Sequence, residues 1–171
     1  SGTNGLLDIF LALVNPGDNV LIPEPYFPLY PPDVEICGGS PNLYPCRFEN
    51  GFVPTLEDLE ERVNSSTVAI LYNFPSNPTG GNVNPEQRDE LVEFAKRNDL
   101  LIISDEVYDR IVYDVPHVSF IGAGYDKVIM VQSFSKTFAM TGWRIGYLLS
   151  PDQQAMEQLT KMQYYVTACS N

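Results

Sequence analysis

Continuous apolar strands alternate with amphipathic helices along this 171-residue sequence, and this alternation restricts its fold more than any other feature. The apolar runs end at residues that break strands, and the segments between them repeat apolar residues at helical spacing. Strands that are buried on both faces belong to parallel sheets covered by helices on both sides. The sequence therefore predicts an α/β domain in three layers, with a mostly parallel sheet between helices.

The segments of this pattern can be placed from their flanking residues. Strands are predicted at residues 19–30, 41–48, 67–75, 100–108, 127–136 and 143–150. Helices are predicted at residues 6–14, 55–64 and 84–99, with a last helix from about residue 151. Thr55 is expected to cap its helix, Pro85 to lie in a first helical turn, and the prolines within residues 19–30 to break that strand.

Composition limits the partners that this chain can have. The length suits a single domain, and a formal net charge of -12 disfavours nucleic acid and anionic membranes, because both repel an acidic body. The cysteines Cys37, Cys46 and Cys169 have neither metal-binding nor redox spacing, so reduced thiols, a cytoplasmic location and no metal site are expected. No stretch approaches the roughly 20 apolar residues of a membrane helix.

Polar side chains follow three of the predicted strands at the points where the strands end. Asn77, Asp105, Ser133 and Lys136 occupy these positions. In open α/β sheets, ligands bind at the edge where the carboxyl ends of the strands meet. These four side chains are therefore expected to share one ligand site.

The residues around Lys136 favour a phosphorylated cofactor that carries an aldehyde. A lysine at the end of a buried strand is expected to be desolvated, which lowers its pKa and frees its amine to attack a carbonyl group. Ser133, Ser135 and Arg144 offer donors to a phosphate group. Backbone N–H groups that open the first helix offer a second set of donors, and they belong to Gly2, Thr3 and Asn4. A solvated loop lysine remains the simpler interpretation of Lys136 alone.

Four further residues each have a structural and a functional interpretation. Asp105 follows four apolar residues, so it is either an internal ion pair or helix cap, or the partner of a pyridinium nitrogen. Tyr108 and Phe27 either pack in the core or contact a flat ring. Asn77 is either a turn residue or a ligand contact.

Five motifs occur in one order along the chain: "SGTNG", "NPGDNVLIPEPYFPLY", "NFPSNPTG", "ISDEVYDRIVY" and "SFSKTFAMTGWRIGY". In this order they resemble the large domain of the class I and II aminotransferases, which have fold type I and depend on pyridoxal 5′-phosphate (PLP). The resemblance extends over nearly the whole chain.

The resemblance implies a role for each candidate residue. Lys136 would form a Schiff base with PLP, Asp105 would pair with the pyridinium nitrogen, and Phe27 would stack on the ring. Tyr108 and Asn77 would hydrogen-bond the phenolic oxygen of the ring. The phosphate would be held by Ser133, Arg144 and the turn of Gly2, Thr3 and Asn4.

The resemblance also implies an activity, with Lys136, Asp105 and Tyr108 as catalytic residues. The parent protein, a homodimer, would transfer an amino group between an L-amino acid and a 2-oxo acid. Another fold-type-I reaction, such as C–S β-elimination, and PLP binding without catalysis are the alternatives. Residues 1–171 would be the PLP-binding large domain of that parent, without its N-terminal segment and small domain. Because the small domain supplies the arginine for the substrate carboxylate, the chain alone is expected to show weak or no transamination.

Motifs of two other enzyme classes occur only in part. Residues 133–136 match S-x-x-K of penicillin-binding enzymes, but the companion motifs S-D-N and K-T-G are missing from the sequence. The apolar run before Asp105 resembles a strand of nucleotide hydrolases, but the phosphate-binding motif G-x-x-x-x-G-K-[ST] is missing too. A non-catalytic module with this fold is a third alternative. The single histidine, His117, is expected to be a loop residue.

Overall fold

A computed structural model of the chain describes residues 1–113 and 115–169. Six strands lie within these ranges: β1 (Asn19–Glu24), β2 (Ser40–Pro45), β3 (Thr67–Asn73), β4 (Leu101–Asp105), β5 (Val128–Ser133) and β6 (Gly146–Leu149). They form one sheet in the order β2-β1-β3-β4-β5-β6. Neighbouring strands are parallel from β2 to β5, and β6 is antiparallel to β5. The mostly parallel sheet predicted from the sequence is confirmed.

Helices cover both faces of this sheet. Their bounds are α1 (Gly2–Leu13), α2 (Tyr30–Ile36), α3 (Leu56–Glu60), α4 (Pro85–Arg97), α5 (Phe134–Thr137) and α6 (Gln153–Thr167). Apolar residues of α1, α2 and α6 pack in one core, and those of α3 and α4 pack in another. The sheet separates the two cores, so the predicted three-layer α/β/α arrangement is also confirmed.

Successive residues of the central strands contribute to opposite cores. In β1, Leu21 packs in the core with α4, whereas Val20 and Ile22 pack in the core with α1. In β4, Ile102 and Ile103 divide in the same way. Because side chains alternate across a strand, a strand between two helical layers must be apolar at consecutive positions. This explains the continuous apolar runs of the sequence.

Thr55 caps its helix and Pro85 lies in a first helical turn, as the sequence predicts. The Thr55 hydroxyl accepts a hydrogen bond from the Asp58 N–H group at the start of α3. Asn84 and Gln87 exchange side-chain to backbone hydrogen bonds at the start of α4, and Pro85 occupies its first turn. Each cap satisfies N–H groups that have no acceptor inside the helix.

Helix α2 was not expected from the sequence. The prolines within residues 19–30 predict a broken strand, and β1 does end at Glu24. However, Pro31 and Pro32 then lie in the first turn of α2, where a missing N–H group is not a disadvantage. The same residue type that ends the strand therefore also starts the helix.

The carboxyl ends of three central strands lie level with one another. Asn73 of β3 is paired with Asp105 of β4, and Asp105 is paired with Val131 of β5. The first turn of α1 lies against the same edge, because a Cβ atom built on Gly2 would be 3.3 Å from the Ser133 Cβ atom. The segments that follow β3, β4 and β5 therefore emerge beside the start of α1.

The described residues lack a membrane-spanning helix and a cluster of metal ligands. None of their helices is both long and apolar enough to cross a membrane. They include no group of three or more His, Cys, Asp or Glu residues that could hold a metal ion. Cys37, Cys46 and Cys169 are free thiols, of which Cys46 is buried and Cys169 exposed.

Candidate functional site

A pocket opens at the level edge of the sheet, between the ends of β3, β4 and β5 and the first turn of α1. Nine of the ten predicted cofactor-binding residues line it: Gly2, Thr3, Phe27, Asn77, Asp105, Tyr108, Ser133, Lys136 and Arg144. The lining also includes Tyr30, Asn73, Ser135 and Thr141. Residues from five separate parts of the sequence therefore converge on one cavity.

Asn4 is the predicted residue that does not line this pocket. Its side-chain amide donates to the Asp8 carboxylate at 2.7 Å and to the Gln163 side chain of α6 at 3.2 Å. Its backbone N–H group donates to the Ser1 hydroxyl at 3.3 Å. Both donors are therefore used inside the fold, and the structure places Asn4 between α1 and α6.

Asp105 lies at the bottom of the pocket with a small number of hydrogen-bond donors. It is 4% exposed. Its carboxylate accepts a hydrogen bond from the Tyr30 hydroxyl at 2.7 Å and a longer one from the Val107 N–H group at 3.3 Å. Burial raises the pKa of Asp105 to about 6, although the hydrogen bond from Tyr30 acts in the opposite direction. A cationic group in the pocket would therefore stabilise the ionised form of this carboxylate.

Tyr30 and Asn73 are two residues of the pocket that the sequence did not single out. Burial raises the pKa of Tyr30 well above its usual value, so its hydroxyl stays protonated and donates to Asp105. The Asn73 amide donates to the Asp105 carbonyl oxygen at 3.0 Å and its oxygen accepts from the Asn77 N–H group at 2.8 Å. A polar residue at the end of an apolar run was a signal for Asn73, whereas no pattern pointed to Tyr30.

Tyr108 and Lys136 face each other across the pocket. The Asn77 amide lies 3.4 Å from the Tyr108 hydroxyl, and the Lys136 Nζ atom lies 5.5 Å from the centre of the Tyr108 ring. Lys136 belongs to the short helix α5, not to the strand, and it is exposed. The desolvation of Lys136 predicted from the apolar run is therefore wrong, although its amine does reach the pocket.

The remaining wall of the pocket is rich in donors for an anion. The first helical hydrogen bond of α1 is donated by the Gly5 N–H group to the Ser1 carbonyl. The N–H groups of Gly2 and Thr3 precede it, so they have no acceptor within the helix. Ser133 caps α5 by accepting from the Ser135 N–H group at 3.1 Å. Arg144 adds a guanidinium that donates to the Thr141 carbonyl at 2.9 Å and has further N–H groups for a ligand. This combination suits a phosphate group.

The sequence as a whole matches a known family. The profile of aminotransferase class I and II matches residues 1–171. The chain belongs to this family. Members of the family use PLP, a cofactor with a phosphate, an aldehyde and a pyridine nitrogen.

Similar proteins are aminotransferases that are longer than this chain. An aspartate aminotransferase of Thermotoga maritima is 38% identical over 175 residues, which is 99% of this chain and 46% of the relative. An aromatic-amino-acid aminotransferase of Thermococcus litoralis is 39% identical, over 98% of this chain and 44% of the relative. The chain thus spans less than half the length of these relatives.

Solved structures of the family have the same fold. An aspartate aminotransferase of Thermus thermophilus is 32% identical and superposes with a TM-score of 0.96, over 100% of this chain and 44% of that one. An aromatic aminotransferase of Pyrococcus horikoshii is 36% identical and superposes with a TM-score of 0.94, over 99% of this chain and 46% of that one. The fold-type-I architecture expected from the sequence is confirmed.

Proposed function

We propose that the protein carrying this chain transfers an amino group between an L-amino acid and a 2-oxo acid, with PLP bound at Lys136. The observation that carries this proposal is the convergence of an amine, a buried carboxylate and a set of anion donors on one pocket, in a chain of the aminotransferase class I and II family. Each chemical group of PLP has a counterpart in the lining of this pocket.

The residues of the pocket fit the parts of PLP. N–H groups of Gly2 and Thr3, together with the side chains of Ser133 and Arg144, would hold the phosphate. The Phe27 ring packs edge-on against the Tyr30 ring, with 5.5 Å between the ring centres. It would cover a face of the pyridine ring. Donors from Tyr108 and Asn77 would hold the phenolic oxygen.

Asp105 would keep the pyridine nitrogen protonated. When bound, PLP supplies an electron sink, and this sink is most effective with a protonated ring nitrogen. Burial has raised the pKa of Asp105 to about 6, so its negative charge is poorly stabilised by the protein alone. A positive charge on the ligand would provide that stabilisation, and the binding energy would favour the protonated ring.

Lys136 would act first as a nucleophile and then as a proton carrier. Its amine stands at the mouth of the pocket, opposite Tyr108, with water access. With a substrate in the site, the free Nζ atom would remove the proton from the substrate Cα atom. Tyr108 and Asn77, whose side chains lie 3.4 Å apart, would hold the phenolic oxygen and so orient the cofactor.

Further parts of the proposal concern the whole protein. Residues 1–171 would form its PLP-binding large domain, which is consistent with a match to 44–46% of each relative described above. Its substrates would be amino acids and 2-oxo acids, since the relatives are named aspartate and aromatic-amino-acid aminotransferases. It would act as a homodimer in the cytoplasm.

Reductive labelling tests the cofactor and its attachment site together. The full-length protein that carries this chain is purified and incubated with PLP, its visible absorption is recorded, and borohydride is added before peptide mass spectrometry. We expect a yellow protein that bleaches on reduction and carries a pyridoxyl group on Lys136. An amino acid substrate added before reduction should change the spectrum and release the corresponding 2-oxo acid.

Two lysine variants provide the control for this experiment. Lys136→Ala should lose both the colour and the label, whereas Lys96→Ala should keep both, because Lys96 lies on α4 and pairs with Glu93 at 2.7 Å. A label on another lysine, or a colourless wild type at saturating PLP, would contradict the proposal. A stable label with no release of oxo acid would support PLP binding at Lys136 but contradict the transfer reaction.

A further inference from the structure

The end of β4 carries a second buried acid, Glu106, on the side opposite Asp105. Glu106 is 2% exposed, and it directly follows the strand. Its Oε1 atom accepts hydrogen bonds from the hydroxyls of Ser104 and Ser119, both at 2.9 Å, and from the Phe120 N–H group at 3.1 Å. Its Oε2 atom lies 2.6 Å from the His117 Nε2 atom. The carboxylate is therefore hydrogen-bonded to residues before and after the loop that follows Glu106.

The described residues between Glu106 and His117, which are residues 107–113 and 115–116, are called the Tyr108 segment below. It begins after Glu106 and ends before His117, and Glu106 contacts residues at both of its ends, so one carboxylate holds these ends together. The returning end is also held from α4, because the Arg88 guanidinium donates to the Ser119 carbonyl at 2.6 Å. Closure of the segment thus depends on a small number of buried polar contacts.

The middle of the Tyr108 segment has little packing of its own. Ile111 and Val115 are exposed, and Tyr113 is 91% exposed. A loop with few buried apolar contacts opens at a low free energy unless polar contacts hold it. The contacts at Glu106 are well suited to this task, because hydrogen bonds to a buried charged group are stronger than neutral ones.

The same segment begins with residues of the PLP pocket. The Val107 N–H group donates to Asp105, and the Tyr108 hydroxyl accepts from Asn77. The Glu106 carbonyl accepts from the Gln132 amide at 2.9 Å, and so it joins this turn to β5. A change in the path of the segment would therefore move the Tyr108 ring relative to Lys136.

We propose that Glu106 and His117 are positioning residues for PLP binding, which close the Tyr108 segment and thereby fix Tyr108 and the Val107 N–H group in the pocket. This proposal rests on the proposed function above. The pair touches neither the pocket nor its ligand, and it acts through Tyr108 and Asp105. His117 is the only histidine of the chain, and its pairing gives it a defined place in the loop where the sequence predicts it.

Two measurements on the purified protein test this role. The first is the dissociation constant of PLP, from titration of the visible absorption. The second is the rate of tryptic cleavage after Arg110 in the absence of PLP. Arg110 is the only lysine or arginine of residues 107–116, so this cleavage reports opening of the segment.

His117→Ala removes the histidine contact and leaves the three other donors to Glu106. We expect PLP to bind about tenfold more weakly and cleavage after Arg110 to be about tenfold faster, the change that corresponds to the loss of one charge-assisted hydrogen bond. His117→Gln keeps an N–H donor at a similar reach and should restore both values to near those of the wild type. Tyr113→Ala, in the exposed part of the same segment, should change neither value.

The outcomes separate this inference from the proposed function. A wild type that does not bind PLP contradicts both. A wild type that binds PLP while His117→Ala keeps its affinity and its cleavage rate contradicts the positioning role alone. If His117→Ala does not fold, Ser119→Ala replaces it, since it removes one donor to Glu106 and leaves His117 in place. Ser119→Ala should then weaken PLP binding about threefold, and an unchanged affinity would overturn the inference.

Discussion

Two neighbouring buried carboxylates, Asp105 and Glu106, lie at the end of β4, and they differ in how many hydrogen-bond donors they have. Glu106 has donors for both of its oxygens from four other residues. Asp105 has one short hydrogen bond, from Tyr30, and otherwise faces an open pocket. A carboxylate with its full set of donors stabilises the fold, whereas one with few donors destabilises it until a ligand arrives. The difference separates a structural acid from one that is available to a ligand.

Removal of Glu106, the carboxylate with donors for both oxygens, should produce the largest loss of stability. Glu106→Ala leaves Ser104, Ser119, His117 and the Phe120 N–H group without their acceptor in a buried site. We expect the free energy of unfolding to fall by about 3–4 kcal/mol, measured by urea denaturation. Glu93→Ala, which breaks the exposed pair with Lys96, should lower it by less than about 1 kcal/mol. Equal losses in the two variants would contradict the distinction.

Neutralising the other carboxylate should instead stabilise the protein. In the absence of PLP, Asp105→Asn should raise the free energy of unfolding by about 2 kcal/mol above neutral pH, because it removes a buried charge. The same variant should bind PLP at least about tenfold more weakly, since the ring nitrogen loses its anionic partner. Urea denaturation and absorption titration measure the two effects separately.

The stabilisation by Asp105→Asn should depend on pH in a defined direction. The pKa of Asp105 is about 6 in the folded state, above its usual value of 3.8, so the folded protein binds this proton more tightly than the unfolded chain. The wild type therefore loses stability as the pH rises through this interval, and the loss is complete above about pH 6. The wild type and Asp105→Asn should be equally stable below about pH 3.8. A stability difference between them that grows as the pH falls would contradict burial of the charged carboxylate as the cause.

Asp33 provides a comparison outside the pocket. It is buried on α2, its Oδ2 atom has no hydrogen-bond partner among the described residues, and burial raises its pKa to about 6. Asp33→Asn should raise the free energy of unfolding by about 1 kcal/mol above neutral pH, a smaller gain because the first turn of a helix favours a negative charge. PLP affinity should stay unchanged. An affinity loss as large as that of Asp105→Asn would show that burial alone explains both residues.

Tyr30→Phe should weaken PLP binding less than Asp105→Asn does. It removes the hydrogen bond that lowers the pKa of Asp105, so this pKa should rise further. PLP should bind about threefold more weakly, and the pH at which its affinity is half lost should move upward. Tyr44→Phe is the matched control, because Tyr44 is equally buried and donates instead to the Leu71 carbonyl at 2.7 Å. Both variants should lose about 1 kcal/mol of stability, but only Tyr30→Phe should shift the pH dependence.

The strands and the location of the pocket could be predicted because they depend on local patterns. Apolar runs such as Thr67–Asn73 and Leu101–Asp105 identify buried parallel strands, and parallel strands bring their carboxyl ends to one edge. Asp105, Ser133 and Lys136 follow such runs, so their approach to one another follows from the topology alone.

Contacts between distant segments could not be predicted in this way. Asn4 bonds to Gln163, which lies 159 residues further along the chain, and this contact removes it from the pocket. The exposure of Lys136 depends on where β5 ends and α5 begins, a boundary that hydrophobicity does not define. His117 meets Glu106 only because the Tyr108 segment turns back on itself, and no periodic pattern encodes that return.

The alignment of β4 with its two neighbours makes the chemistry of this edge sensitive to the length of the strand. Since consecutive side chains point to opposite sides, deletion of one residue before Asp105 would carry Glu106 into the pocket, and one insertion would carry Ser104 there. In a library of single-residue insertions and deletions, changes within Leu101–Asp105 should be lost under selection for function. Changes at residues 64–66, which are exposed and lie outside the pocket, should persist.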